Sequence, residues 1–100
     1  MKIICPNKNM FSSKAIKLLK NHHEVEFKEL TQNEFEEIAS NYDGLLIRFN
    51  HQINSRVLNE NSKVKYILCP TTGLDHIDLD LVKRFKVELF TIKGEFFLKD

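Results

Sequence analysis

Glycine is scarce in this 100-residue chain, which has three: Gly44, Gly73 and Gly94. None falls in a G-x-G-x-x-G pattern, so the chain has no glycine-rich turn of the kind that cradles a dinucleotide pyrophosphate at a helix N-terminus. An excess of charge of either sign is also lacking. Fifteen Lys and Arg against fourteen Asp and Glu leave a formal net charge of +1. No whole-molecule field then draws the chain to DNA, RNA or an anionic membrane, and neither nucleic acid nor membrane is an expected partner. No apolar run approaches the roughly 18 residues of a membrane span, and the stretch before Pro6 is too short for the core of a secretory signal. A cytoplasmic location is expected. There are two cysteines, Cys5 and Cys69. They form no CxxC pair and have no companion ligands, so both are expected to be buried thiols.

What is present suits one modest domain over residues 1–100. Lys2 to Cys5 is a short apolar run stopped by Pro6, which predicts a strand. A helix follows, capped by Ser12 or Ser13, with Ala15, Ile16, Leu18 and Leu19 inward and Lys14, Lys17 and Lys20 outward. Val25 and Phe27 alternate with Glu24, Glu26 and Lys28, the pattern of a half-buried edge strand. Thr31 and Glu34 form a capping box ahead of Phe35, Ile38 and Ala39, predicting a second helix. Gly44 to Ile47 shows no polar alternation and predicts a strand buried on both faces.

Ile53, Val57 and Leu58 predict a short helix capped by Asn54, and Tyr66 to Cys69 a fourth strand, ended by Pro70. Asp78 caps a helix bearing Leu79, Leu81, Val82 and Phe85, and Val87 to Ile92 alternates as a fifth strand. Repeated β-α units without hairpin signals imply right-handed crossovers and helices on both faces of a sheet. The expected fold is α/β: a flavodoxin-like doubly wound parallel five-stranded sheet of order 2-1-3-4-5. That order sets Cys5 and Cys69 about two strand spacings apart, beyond disulfide reach.

In such sheets ligands bind at the carboxyl ends of the strands, so the loops from Pro6, Arg48, Pro70 and Lys93 carry the interest. Arg48-Phe49-Asn50-His51 places a guanidinium, suited to bidentate contact with carboxylate or phosphate, directly after a buried strand. An arginine turned to solvent, or paired with a structural acid such as Asp75, fits the residues equally well. In Thr71-Thr72-Gly73-Leu74-Asp75-His76-Ile77-Asp78, Gly73 permits a close approach that a side chain would block, and successive amides can converge on an anion. A plain strand-to-helix turn fits the same spacing. His22 and His23 end a lysine-rich helix, and His51 and His76 fall in separate loops. No pair has ligand spacing backed by a carboxylate or cysteine, so no metal is expected.

Taken together, Asp43-Gly44-Leu45-Leu46-Ile47-Arg48, Lys65-Tyr66-Ile67-Leu68 and Thr72-Gly73-Leu74-Asp75-His76-Ile77-Asp78, with a helix before Val87-Glu88-Leu89, resemble the amino-terminal part of the D-isomer-specific 2-hydroxyacid dehydrogenases. The likeness runs from Lys2 to about Ile92. It implies a substrate-binding domain in which the Thr72 and Gly73 amides meet the carboxylate of a small 2-hydroxy or 2-keto acid, with Arg48, Phe49, Asn50 and Leu74 lining the cleft. It also implies NAD or NADP in the full-length parent, held by a separate dinucleotide-binding domain that supplies the catalytic arginine, glutamate and histidine. This chain matches none of those residues; alone it is expected to bind no cofactor and to turn over no 2-hydroxy acid.

Two positions depart from the family pattern: Phe49 stands where many members have a small or hydroxyl residue, and Thr71 where they have glycine. Residues 93–100 resemble the start of an interdomain connection, and the chain reads as truncated there. The rival reading is a non-catalytic, stand-alone flavodoxin-like binding or protein-interaction module that binds a partner through Phe96-Phe97-Leu98. On either reading the chain is expected to self-associate weakly, as a homo-oligomer, through the same tail. A phosphorelay receiver is excluded because Pro6-Asn7-Lys8 and Arg48 replace its acids. A flavodoxin is excluded because Asn7 to Ser13 contains no glycine.

Overall fold

A computed structural model describes residues 2–7, 17, 20–21, 24–69 and 73–91. The expected caps Ser12 and Ser13, the helix face at Ala15 to Leu19, His22 and His23, Thr71 and Thr72, and the Phe96-Phe97-Leu98 tail lie outside the described residues.

The chain runs through β1 (Lys2–Cys5), β2 (Glu24–Phe27), α1 (Gln32–Ile38) with a 3-10 turn at Ala39–Asn41, β3 (Gly44–Leu46), β4 (Tyr66–Cys69), α2 (Leu79–Arg84) and β5 (Glu88–Thr91). The strands form one sheet of order β2-β1-β3-β4-β5, and every neighbouring pair is parallel. This is the order expected from the sequence. Its central strand β3 is buried along its whole length, as the unbroken apolar run Gly44-Leu45-Leu46 requires. Edge strand β2 keeps Glu24 exposed and Val25 buried.

The register sorts side chains onto two faces. Ile4 pairs with Leu45, and Leu45 with Ile67. These three join Phe35, Ala39, Ile53, Val57, Leu58, Val82 and Val87 in the larger core cluster, so α1, α2 and the 53–64 connection cover this face. Ile3, Cys5, Val25 and Leu46 form a second cluster on the opposite face, with Phe27 and Leu68 against it. Lys17, Lys20 and Asn21 are helical, and the Lys20 ammonium lies 5.7 Å from the Phe27 ring centroid. Helical residues therefore lie over both faces. Cys69 belongs to the first cluster and Cys5 to the second. Both are reduced and buried, and the opposite faces separate them as surely as the strand spacing does.

The predicted helix over Ile53 to Leu58 is a single turn instead. The amides of Val57 and Leu58 both donate to the Asn54 carbonyl, and the Asn54 carboxamide caps the amide of Arg56. The Asn59 side chain then donates to the carbonyls of Ser55 and Arg56. Those acceptors are the ones a growing helix needs, so the asparagine competes with the backbone and ends the turn.

Candidate functional site

Parallel strands bring all their carboxyl ends to one edge, and hydrogen bonds lock the loops there side by side. The amide of Ile47 donates to Leu68 O at 2.9 Å, carrying the β3–β4 pairing one residue past β3. Beyond the loop, Ile53 N donates to His76 O at 2.9 Å and Asp78 N to Ile53 O at 3.0 Å, making a parallel bridge between Ile53 and Ile77. Residues 48–52 are thus held at both ends against the connection that follows β4.

Arg48 is half-buried at the root of this loop, while Phe49 and Asn50 are exposed. The Arg48 guanidinium carbon lies 5.4 Å from the Phe49 ring centroid, a cation–π contact that helps to orient the charge. Beneath it, Cys69 Sγ lies 3.8 Å from the Arg48 carbonyl oxygen and 3.3 Å from His76 Nε2. Desolvation holds the His76 imidazole below its usual range, opposed by a hydrogen bond to the Arg48 backbone and by the Asp75 charge. A neutral imidazole therefore clips the Arg48 backbone to the β4 loop.

Gly73 is exposed, and a Cβ built on it would meet nothing within 4 Å. Its φ lies outside the left-handed range. Among the described residues, neither packing nor backbone conformation requires glycine here, and the space above it is open to an approaching group. Leu74 is half-buried and packs on the larger core cluster, so it supports the loop from below. Helix α2 starts only at Leu79, and its N-cap Asp78 already accepts from the amides of Asp80 and Leu81. An acidic, occupied helix start is a poor phosphate site.

Pro6-Asn7 and residues 28–30 form the other half of the edge. Lys28 N donates to Cys5 O and Leu30 N to Pro6 O. His51, only 3% exposed, contacts Leu30 O through Nε2 at 2.6 Å, which assigns the proton to Nε2 because a carbonyl can only accept. Phe35 meets the ring edge-on at 5.2 Å. Gln32 completes the tie, accepting from Gln52 N at 2.8 Å and donating to Gln52 O at 3.0 Å. His51 is accordingly a buried brace between α1 and the Arg48 loop. Burial also pushes the Cys5 thiol up to about 12, which removes it as a nucleophile at neutral pH. Among the described residues, no three His, Cys, Asp or Glu side chains group as metal ligands, and no helix is long and apolar enough to cross a membrane.

Of the six residues singled out in the sequence, Arg48, Phe49, Asn50, Gly73 and Leu74 thus stand on adjoining loops of one edge, and Thr72 lies outside the described residues. The Cys69–His76–Arg48 contact and the brace at His51 were not foreseen. The one available signal was the position of both histidines just beyond strands whose residues are otherwise apolar.

The family model for the catalytic domain of the D-isomer specific 2-hydroxyacid dehydrogenases matches residues 7–95. The chain belongs to this family. Erythronate-4-phosphate dehydrogenase of Wigglesworthia glossinidia brevipalpis is 29% identical over 87 residues, which are 87% of this chain and 22% of that protein. Among solved structures, NAD+-bound 3-phosphoglycerate dehydrogenase of Entamoeba histolytica superposes with a TM-score of 0.74 at 26% identity, over 91% of this chain and 32% of that one. A protein of Pyrococcus horikoshii superposes with a TM-score of 0.81 over 93% of this chain and 28% of that one; at 22% identity it speaks to the fold alone. The chain therefore spans between about a fifth and a third of these relatives. Family membership favours a dehydrogenase domain over the stand-alone interaction module.

Proposed function

We propose that this chain is the substrate-binding part of an NAD- or NADP-dependent D-2-hydroxyacid dehydrogenase, holding the carboxylate of a small 2-hydroxy or 2-keto acid between Arg48 and the backbone at Thr72 and Gly73. The observation that carries the reading is the double tie, through Ile47–Leu68 and Ile53–Ile77, that sets the Arg48 loop against the Gly73 loop at the carboxyl edge. A guanidinium offers a carboxylate two parallel N–H donors, and the open space at Gly73 lets the anion approach the backbone closely. Phe49 and Asn50 stand beside the anchored carboxylate, at the substituents of the acid, with Leu74 beneath.

Among the described residues, neither glycine is set to hold the pyrophosphate of a nicotinamide cofactor. Gly44 is buried at the start of β3 beside Ile3, and Gly73 is separated from the next helix by the acidic cap Asp78. They form no cradle for a pyrophosphate, so no step of the reaction is assigned to the described residues beyond binding and orienting the acid. Hydride transfer belongs to a dinucleotide-binding partner domain, with which this edge would close over the substrate.

The test is a titration of the ¹⁵N-labelled chain with millimolar pyruvate. Amide resonances of Arg48, Phe49 and Gly73 are expected to shift together, and Arg48→Ala to abolish the response while leaving the remaining spectrum intact. An unmoved spectrum would return both loops to plain connections.

A further inference from the structure

We propose that His76 is a positioning residue for carboxylate binding: it ties both ends of the Arg48 loop to the loop after β4, and so holds the Arg48 loop in its receiving shape before any acid arrives. The inference rests on the carboxylate site described above and names a residue that sets its affinity. One residue makes both ties. At the far end of the loop the His76 carbonyl accepts from Ile53 N at 2.9 Å, and at the near end its imidazole hydrogen-bonds the Arg48 backbone. Nε2 lies 3.3 Å from Cys69 Sγ, and Cys69 is wholly buried at the end of β4. The ring is therefore seated against a strand of the sheet.

Burial does not hold the middle of this loop. Ile47 and Ile53 are buried on either side of it, whereas Phe49 and Asn50 are exposed. The far half has further supports from the α1 side, through His51 on Leu30 O and Gln52 on Gln32. The ring bond of His76 is the tie at the Arg48 half, next to Phe49. An acid that must order the loop itself binds more weakly than one that finds it ordered. The tie needs only one N–H from the ring, which a carboxamide can also supply and a hydrocarbon cannot.

The discriminating experiment titrates the ¹⁵N-labelled chain with acetate and with pyruvate, following the Arg48, Phe49 and Gly73 amides. Wild type is compared with His76→Leu and His76→Phe, two donorless variants of different shape, and with His76→Gln, whose carboxamide reaches about as far as Nε2. Loss of the donor is expected to raise the half-saturating concentration of both acids by the same factor, roughly fivefold to tenfold, the size of one hydrogen bond. His76→Gln should recover most of it. The ring is half-buried at the edge, so the amides of β1 and β2 should keep their wild-type positions in all three variants. Wild-type affinity in both donorless variants, or no recovery in His76→Gln, overturns the inference and leaves the carboxylate site standing. A loss confined to pyruvate also overturns it, because it would make His76 a direct contact to the keto group. If neither acid moves the Arg48 and Gly73 amides of the wild type, the site itself falls, and the inference with it.

Discussion

Two glycines separate packing from binding at the level of single atoms. A Cβ at Gly44 would lie 3.1 Å from Ile3 Cγ1, so the buried Ile3 side chain would have to shift by a few tenths of an ångström to admit it. Gly44→Ala is expected to cost about 1–3 kcal/mol through overpacking, read as a lower urea midpoint. A Cβ at Gly73 meets nothing, so Gly73→Ala should leave stability within about 0.5 kcal/mol, or raise it slightly by restricting the unfolded chain. It should nevertheless weaken carboxylate binding several-fold in the same titration. A variant that folds and binds like wild type would show that no ligand approaches that backbone. The sequence singled out Gly73 for two reasons at once, conformation and access, and only coordinates separate them. Arg48 was legible from its place after a buried strand. The imidazole that clips its carbonyl was not, because His76 lies far along the chain and a loop histidine carries no periodicity.

Elements with local chemistry were the easiest to read. The capping box at Thr31 is formed on both sides: Glu34 N donates to Thr31 Oγ1 at 3.2 Å and Thr31 N to Glu34 Oε1 at 2.9 Å. Thr31→Ala should therefore cost about 1 kcal/mol. The end of α2 offers the reverse opportunity. Lys86 N donates to Lys83 O and Val87 N to Val82 O, the two bonds of a Schellman closure, yet the left-handed position is Lys86 with φ 55°. Glycine is the residue that adopts this conformation without a Cβ penalty. Lys86→Gly is expected to stabilise the chain by about 0.5–1 kcal/mol, seen as a raised thermal midpoint. The turn at residues 54–58 was misread as a helix for a related reason. Its apolar spacing is helical, but spacing does not reveal that the Asn59 side chain takes the carbonyls, and one competing amide outweighs a nucleus of so few residues.

The whole sheet was legible because burial on both faces leaves an unbroken apolar run, and such runs separated by helices leave few topologies. Which connections brace the edge was not, since they depend on long-range pairs such as Gln32 with Gln52. One brace makes stability respond to acid. Glu36 accepts from Asn54, Gln32 and Arg56, and these contacts, with the Asn54 bond foremost, hold its carboxyl below the ordinary 4.5; the capping bonds from Thr31 do the same for Glu34. The unfolded chain then binds more protons than the folded one as pH drops. The stabilisation is full above about 4.5 and is lost as pH falls through the lowered folded values. Urea midpoints should decline from pH 6 to pH 3, less steeply in Glu36→Gln, and an equal decline in that variant would place the acid sensitivity elsewhere. A different use follows from the two cysteines lying under different layers. Each thiol is a built-in reporter of one side of the molecule: trapping with a small alkylating reagent marks Cys5 only when the layer over the second cluster opens, and Cys69 only when the α1 and α2 side does. The ratio of the two labelling rates, resolved by peptide mass, would say which coat the sheet sheds first and whether the two come off as one cooperative unit.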